Sequence, residues 1–325
     1  MLMKIKNLLR AWGDKSSFGS IVFQTARSLF AHMMLILTDK AYAKWFYKKY
    51  TKKKLNIDDP KTFDEKIWWL KLNNRDPMLT ICSDKYAVRE YVKNQYSEEI
   101  LTDLLGVYKK ANDIDFDAIN CEVVIKSTSG SGENVFYDPA KKQNRKMIVR
   151  RMNYALKQNP YILSREWNYK NIKPQIIVEK VLRDKNGKLP MDYKFMCFDG
   201  EPKLLFLDIG LIGEDHIYNH NYPRNIYDMD FNLTPIKETR ENYVGEITKP
   251  DNWEKMVDIA RKLSAPFPFC RVDLYNLDGE IKFGEITFYH GGGCNEISPQ
   301  EWDVRLGSWI DINNPKIVLN NQKEV

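Results

Sequence analysis

A hairpin signal near the carboxyl end of the sequence constrains the fold most strongly. Asp278-Gly279 lies between two runs in which apolar and polar residues alternate, at positions 271–276 and 281–288. Asp-Gly in that setting predicts a tight antiparallel turn, because both residues tolerate the backbone conformation that such a turn requires. Further strands are predicted at positions 176–182, 193–198 and 203–209. Paired strands with separate helices indicate an α+β fold rather than a parallel-sheet nucleotide fold.

The length of the hairpin turn decides where its carboxylates point. A two-residue turn places Asp273 and Glu285 on opposite faces of the hairpin. A three-residue turn brings both to one face with Arg271 opposite Glu285, and Asn276 favours it because asparagine readily opens a type I turn. Two carboxylates beside an arginine would then form a Mg²⁺ site with a phosphate clamp. The other interpretation is a solvent-facing hairpin with an Arg–Glu cross-strand pair.

A second candidate site follows the apolar run at positions 123–125. Lys126 ends this run and is followed by Ser-Thr-Ser-Gly-Ser-Gly at positions 127–132. A lysine at the end of a buried strand, next to small residues with free backbone N–H groups, is suited to phosphate oxygens. The loop lacks the G-x-x-x-x-G-K-[ST] pattern, so an ordinary turn is the other interpretation. In the strand at 176–182, Glu179-Lys180 offers backbone groups for an adenine edge, unless it is simply a strand end.

The net charge of +6 is unevenly distributed along the chain. The first 54 residues hold 12 lysines and arginines against two aspartates, whereas the remainder holds 38 basic and 42 acidic side chains. Nucleic acid needs a large basic surface, so we do not expect it as a partner. Because Phe, Trp and Tyr are interleaved with the basic residues, the first segment predicts one of two arrangements. It either contacts the inner membrane surface peripherally or forms a solvated helical face packed on the body.

Cysteine and histidine usage argues against a zinc site. The five cysteines form no C-x-x-C pair and only four histidines are present. Such usage is typical of a reducing cytoplasm. The sequence contains no run of about 18 apolar residues that would span a membrane, and no signal-peptide pattern. We therefore expect a cytoplasmic protein that meets a membrane only at its surface.

Composition divides the chain into four segments. We predict a basic helical segment at 1–54, a helical region leading into the core at 55–120, the core at 121–312 and a tail at 313–325. Thr62 and Glu65 have capping-box spacing, which predicts that a helix begins there. Asp84 is predicted to cap the following helix, and a further helix is predicted from Asn252 to Leu263.

Taken in order, the lysine before a small-residue loop, the Glu-Lys strand end and the Arg-x-Asp…Glu hairpin resemble the ATP-grasp superfamily. The closer resemblance is to the TupA-like ATP-grasp family of surface-polysaccharide gene clusters. It extends from about Asn56 to Ile312 and rests on the sequences at 60–66, 84–89, 165–172, 192–195 and 267–288. The resemblance implies two α+β subdomains that enclose the nucleotide, preceded by a helical amino-terminal region.

The resemblance also implies roles for individual residues. Lys85 and Lys126 would contact the ATP phosphates, under a loop formed by Gly130, Ser131 and Gly132. Adenine would be held by Glu179 and the backbone of Lys180 and Leu182, and ribose by Asp184. Lys194 and Arg271 would neutralise the transferred phosphoryl group, while Asp273 and Glu285 hold Mg²⁺. The sequence departs from the family at Thr128-Ser129, at Thr287 and at 289–293, where Tyr-His-Gly-Gly-Gly replaces Thr-Pro-Gly-Ser-Gly.

The implied activity is that of a carboxylate–amine ligase. Mg²⁺-ATP would convert a carboxylate into an acyl phosphate, and an amine would displace phosphate to form an amide. The carboxylate or amine would belong to a uronic-acid-containing saccharide or an amino acid in surface-polysaccharide or capsule biosynthesis. Two other hypotheses stay open: a glycosyltransferase in which Asp228 and Asp230 hold Mn²⁺, and a non-catalytic scaffold. The sequence does not identify the substrates or the oligomeric state.

Overall fold

The fold is organised by two antiparallel sheets. A computed structural model describes residues 29–30, 33–130, 134–213, 218–219 and 221–319. Its helices are α1 (Asp39–Thr51), α2 (Phe63–Asn73), α3 (Pro77–Ser83), α4 (Val88–Gln95), α5 (Arg145–Ala155), α6 (Tyr161–Ser164), α7 (Trp253–Ser264) and α8 (Gln300–Ser308). Its strands are β1 (Leu104–Tyr108), β2 (Val123–Ser127), β3 (Asn134–Tyr137), β4 (Ile176–Lys180), β5 (Asp192–Phe198), β6 (Glu201–Asp208), β7 (Arg224–Tyr227), β8 (Lys237–Glu238), β9 (Phe269–Leu277), β10 (Glu280–Thr287) and β11 (Ile297–Ser298).

Each large sheet has its own helix and its own apolar core. The smaller sheet has the strand order β1-β4-β2-β3, and Ile148 and Met152 of α5 pack against it. The larger sheet has the order β10-β9-β5-β6-β7, and α7 covers one of its faces with Trp253 and Leu263 fully buried. Because all neighbouring strands in both sheets run antiparallel, the expected α+β class is confirmed.

The hairpin of β9 and β10 corrects the predicted turn. Asp278 and Gly279 both have positive φ, 53° and 102°, and Leu277 pairs with Glu280. The turn therefore has two residues, and the three-residue turn expected from Asn276 is wrong. Asn276 nevertheless stabilises the turn, since its Oδ1 accepts from the Gly279 N–H at 3.0 Å.

A β-bulge brings the side chains of Asp273 and Glu285 to the same face of the hairpin, which a two-residue turn alone would not do. The register shifts between Phe283 and Glu285, so that Glu285 rather than Gly284 pairs with Asp273. One extra residue in a strand moves every later side chain to the other face. A Cβ at Gly284 would lie 3.1 Å from the Asp273 carbonyl oxygen, which explains why glycine occupies the bulge. Asp273 and Glu285 thus share a face, as expected, but for a different reason.

Of the two helix caps predicted before the smaller sheet, one is confirmed and one is wrong. Thr62 and Glu65 form the expected capping box at the start of α2. Asp84 does not cap α4, because its Oδ1 accepts from the N–H groups of Tyr86 and Ala87 in the turn before that helix. Its prediction as a helix cap is therefore wrong, and its role is to close the turn that carries Lys85.

The described part of the basic amino-terminal segment packs on the body. Tyr47 and Ala43 of α1 are buried against Leu55 and Trp68. Most of the lysines of α1 face solvent. In the described part of the chain, no helix combines the length and apolar character needed to cross a membrane. Residues 1–28 and 31–32, and with them much of the predicted 1–54 segment, lie outside the described residues.

Candidate active site

The candidate site lies on the face of the larger sheet that α7 does not cover. Along β9, Arg271 and Asp273 point to this face, whereas Cys270, Val272 and Leu274 are fully buried on the other. This alternation is what a strand between a core and a site requires. Cys270 therefore lies away from the cluster.

Arg271, Asp273 and Glu285 form a tight ion-pair cluster. Nε and Nη2 of Arg271 each lie 2.6 Å from an oxygen of the Asp273 carboxylate. Nη2 also donates to Oε1 of Glu285 at 2.8 Å, and the Thr287 hydroxyl donates to the same oxygen at 3.0 Å. Burial raises the pKa of the Glu285 carboxyl, but the charges of Arg271 and Lys85 outweigh it, so the net shift is downward. The cations of the cluster therefore favour the ionised form of Glu285.

Lys194 joins this cluster from the neighbouring strand β5. Its backbone pairs with Asp273, and its Nζ lies 3.6 Å from Asp273, 3.1 Å from Asp192 and 3.6 Å from Asp208. Burial opposes the charge of Lys194, yet Asp192 and Asp273 raise its pKa above the usual value. Lys194 is thus a buried ammonium group directed at the same point as Arg271.

A chain of charged groups continues behind Arg271. Its Nη1 lies 3.1 Å from Nδ1 of His290, whose Nε2 lies 2.9 Å from Oε1 of Glu238. Glu238 is paired with Arg224, and Arg224 with Asp208. The sequence analysis missed Asp192, Asp208, Arg224 and Glu238. For Asp192, Asp208 and Arg224 the available signal was a charged residue at the end of a strand that is otherwise mostly buried.

The cations near the loop after β2 are Lys126 of β2, Arg89 of α4 and Lys85 of the turn before α4. Lys126 Nζ lies 3.0 Å from Oε2 of Glu179, and Arg89 Nη1 lies 3.1 Å from Oε1 of the same carboxylate. Lys85 donates from Nζ to the carbonyl of Gly130. Burial lowers the pKa of Lys85, and the negative charge of Glu285 on the other sheet opposes that shift. Lys85 therefore lies within electrostatic reach of Glu285 on the larger sheet.

A protein-family model matches the sequence over most of the chain. The model of the TupA-like ATP-grasp family covers residues 65–311, which include Lys85, Arg89, Lys126 and the whole β9–β10 hairpin. The chain belongs to the TupA-like ATP-grasp family. The resemblance inferred from the sequence motifs is thereby confirmed, and at the level of the family so is the expectation of an ATP-grasp enzyme.

Several solved structures are similar to this ATP-grasp chain at low sequence identity. D-Alanine–D-alanine ligase from Bacillus anthracis complexed with ATP is 13% identical with a TM-score of 0.38, over 67% of this chain and 57% of that one. L-Amino acid ligase from Bacillus licheniformis is 13% identical with a TM-score of 0.41, over 65% and 44%. D-Cycloserine synthetase DcsG is 14% identical with a TM-score of 0.43, over 73% and 71%. The chain spans 57% of the first ligase and 44% of the second.

No curated protein matches the ATP-grasp chain. Roles for its residues therefore depend on where the structure places them. Two of the residues predicted to hold adenine, Glu179 and Lys180, already have partners within the protein. The Glu179 carboxylate is buried between Lys126 and Arg89, and the Lys180 N–H donates to the Asp103 carbonyl at 3.0 Å.

The other residues predicted to bind the nucleotide include one, Asp184, whose side chain already has partners within the protein. Leu182 is half-buried beyond the end of β4. Oδ1 of Asp184 accepts from the N–H groups of Asn186 and Lys188 at 2.9 and 2.8 Å, so this carboxylate closes a turn. Ser131 and Gly132 lie outside the described residues, whereas Gly130 has a φ of 80°, which favours glycine.

The Asp-x-Asp sequence considered for a glycosyltransferase occupies a turn after β7. Oδ1 of Asp228 accepts from the N–H groups of Asp230 and Asn232 at 3.0 and 2.8 Å, and its Oδ2 accepts from the Asn232 side chain at 3.2 Å. Asp230 is exposed. Asp228 therefore closes the turn.

The carboxylates of the ATP-grasp site fit Mg²⁺ only together with a nucleotide. Among the residues that the structure describes, no three or more His, Cys, Asp or Glu side chains are arranged to hold a metal ion. Asp273 and Glu285 supply two neighbouring carboxylates, and Thr287 orients the second of them. Mg²⁺ commonly binds through one or two carboxylates plus substrate phosphates and water. The donor set suits Mg²⁺ bound to ATP better than free Mg²⁺.

Proposed function

We propose that this ATP-grasp protein is an ATP-dependent carboxylate–amine ligase. The observation that carries the proposal is the cluster of Arg271, Asp273, Glu285 and Lys194 on one face of the larger sheet, in which Asp273 and Lys194 are buried. Phosphoryl transfer depends on positioning and on neutralising negative charge. Two fixed cations beside two carboxylates are suited to both tasks.

In the proposed reaction, an oxygen of the substrate carboxylate attacks the γ-phosphorus of ATP and ADP leaves. The products of this step are ADP and an acyl phosphate. The nitrogen of an amine then attacks the acyl carbon, phosphate departs with the C–O bonding electrons, and the amine proton is lost to solvent. The net reaction converts carboxylate, amine and ATP into amide, ADP and phosphate.

Each part of Mg²⁺-ATP is assigned to particular residues in this proposal. Lys85 and Lys126 would hold the β- and γ-phosphates, and the loop Gly130-Ser131-Gly132 would lie over them. Lys194 and Arg271 would neutralise the charge on the phosphoryl group in transit. Mg²⁺, held by Asp273 and Glu285, would polarise the phosphate oxygens. Adenine would lie near the Glu179–Leu182 segment with ribose toward Asp184.

The substrate class that we propose is a uronic-acid-containing saccharide or an amino acid. It is supported by the resemblance to a family found in surface-polysaccharide gene clusters, which also suggests capsule biosynthesis in the cytoplasm. A carboxylate on a saccharide would be activated, and a small amine would complete the amide. The glycine-rich segment after β10 would border the acceptor because it directly follows the Mg²⁺ ligands.

The proposal is tested by ADP release from purified full-length protein. A matrix of uronic acids, sugar nucleotides and amino acids is combined with a matrix of amines, in the presence of Mg²⁺-ATP. We expect at least one pair for which ADP release requires both partners and yields an amide of the corresponding mass. Binding of ATP without any carboxylate-dependent ADP release across the matrix would contradict the proposal.

We further propose that the amino-terminal region contacts an anionic membrane surface peripherally. The proposal is supported by apolar side chains that face solvent beside exposed lysines. Met33 is 56% exposed, Ile36 is 85% exposed and Trp45 is 37% exposed, and Lys44 and Lys48 lie on the exposed side of α1. Apolar side chains beside cations are typical of segments that bind the headgroup region.

Vesicle flotation tests this contact on the full chain. We expect the protein to float with vesicles that contain anionic phospholipid but not with neutral vesicles. The variant Ile36→Asp combined with Lys44→Glu and Lys48→Glu should stay at the bottom of the gradient. Val244→Asp is the matched control, because Val244 is 97% exposed elsewhere on the surface. Equal flotation of all three proteins, or none at all, would contradict the proposal.

A further inference from the structure

The charged groups behind the candidate site form a closed ring. Each member contacts the next through a hydrogen bond or an ion pair, and the ring returns to its starting residue. Its members are Arg271, Asp273, Lys194, Asp208, Arg224, Glu238 and His290. With a neutral histidine, its three cations balance its three carboxylates. Two further carboxylates contact the ring, Asp192 at Lys194 and Glu285 at Arg271. A connected network of this kind can hold its members in fixed orientations.

The ring fixes the tautomer of His290. Arg271 is always protonated and carries only N–H donors, so Nδ1 of His290 must accept from its Nη1 at 3.1 Å. The hydrogen of the neutral ring is then on Nε2, where Glu238 accepts it at 2.9 Å. The ring of His290 is 3% exposed with Phe63 and Phe206 beside it, so it has little freedom to turn.

The acceptors bound to Arg271 leave one of its N–H groups for a ligand. A guanidinium group has five N–H donors. Asp273 takes two of them, Glu285 takes one and His290 takes one. One N–H on Nη1 has no acceptor among these partners and is free for a phosphoryl oxygen.

His290 differs from the other anchors of Arg271 in one respect. Asp273 and Glu285 are the carboxylates that the proposed function assigns to Mg²⁺, so their oxygens would be shared once Mg²⁺-ATP binds. His290 has its nearest charged contacts with Arg271 and Glu238 and is not a proposed metal ligand. It is therefore the anchor of Arg271 that binding of Mg²⁺-ATP leaves in place.

We propose that His290, held by Glu238, is a positioning residue that keeps the guanidinium of Arg271 directed at the transferred phosphoryl group. The proposal rests on the proposed function for its catalytic consequence. The tautomer and the contact with Arg271 do not depend on it. Two separate measurements can therefore examine the geometry and its effect on turnover.

The first measurement is the ¹⁵N NMR spectrum of the imidazole nitrogens in the full-length protein. The signals of His290 are assigned by their loss in His290→Asn. At neutral pH we expect an unprotonated Nδ1 and a protonated Nε2, and we expect the Nδ1 signal to move in Arg271→Lys. The opposite tautomer, or a doubly protonated ring at neutral pH, would overturn the proposal whether or not the protein turns over ATP.

The second measurement compares His290→Ala with His290→Asn in the ADP-release assay. The amide oxygen of asparagine stands near the position of Nδ1 and can accept from Arg271, whereas alanine offers no acceptor. We expect kcat to fall by about 10²-fold in His290→Ala and to recover most of that loss in His290→Asn, with KM for ATP little changed in both. Equal kcat for the two variants, when thermal unfolding shows both are folded, would overturn the proposal.

The two failures are distinguishable. If no substrate pair supports ADP release in the unmodified protein while the tautomer is as expected, the proposed function fails. If the unmodified protein is active but His290→Ala has the same kcat, the positioning role of His290 fails alone.

Discussion

Replacement of Asp273 by asparagine is expected to reduce kcat for ATP turnover by about 10³-fold or more. Asparagine keeps the size of the side chain but removes the charge that would bind Mg²⁺. It also removes the bidentate partner of Arg271 and one of the three carboxylates around Lys194. Both losses affect the groups that neutralise the transferred phosphoryl. Steady-state ADP release at saturating Mg²⁺-ATP measures the effect.

The same substitution is expected to lower the free energy of unfolding. Asp273 is 4% exposed, and removal of one partner of a buried ion pair costs roughly 3–5 kcal/mol. Urea denaturation measures this loss, and turnover is compared at a temperature where the variant is folded. Glu280→Gln is the matched control, since this carboxylate on the same hairpin is exposed and its ion pair among the described residues is with Lys282. A folded Asp273→Asn variant with turnover within about tenfold of the control would contradict the assignment.

Replacement of Arg271 by lysine has the second largest expected effect. A lysine ammonium group is a compact charge with three donors and cannot form the planar fork that Arg271 presents to Asp273. It also cannot reach Asp273, Glu285 and His290 together. We expect kcat to fall by about 10²–10³-fold, with KM for ATP little changed because Lys85 and Lys126 remain.

A surface arginine provides the control for this substitution. Arg261 on α7 also binds a carboxylate, its Nε lying 3.2 and 2.9 Å from the two oxygens of Glu201, but both side chains are about half exposed. Arg261→Lys tests the general cost of replacing an arginine by lysine, and we expect unchanged kcat. If Arg271→Lys retained kcat within about threefold of Arg261→Lys, charge alone would suffice and the fork would have no catalytic role.

The sequence predicted which residues approach each other at the hairpin but not the backbone that brings them there. Asp-Gly determined the place of the turn, whereas Asn276 suggested a longer turn than the structure contains. The convergence of Asp273 and Glu285 depends on the bulge at Gly284. A single glycine within an alternating run does not reveal whether the strand bulges, because that depends on the opposite strand.

Sequence patterns could not predict the charged ring behind Arg271, because its members meet only through the topology of the fold. Five of its members come from strands of the larger sheet, whose order β10-β9-β5-β6-β7 local periodicity does not determine. Asp208 and Arg224 are far from Arg271 in the sequence and meet it through pairings between strands of that sheet. Glu238 lies on β8 of a separate two-stranded sheet, and His290 follows β10. Motif spacing identified Lys126 and Glu179, yet the direct pairing of these two side chains emerges only from the smaller sheet.

The central claim is that a carboxylate is activated as an acyl phosphate at this site, and hydroxylamine trapping tests it most directly. Purified protein is incubated with Mg²⁺-ATP, a carboxylate that supports ADP release and hydroxylamine in place of the amine. We predict a hydroxamate of the substrate in amounts that match ADP, and its loss in Asp273→Asn. ADP formation with a phosphorylated hydroxyl group and no hydroxamate would contradict the claim.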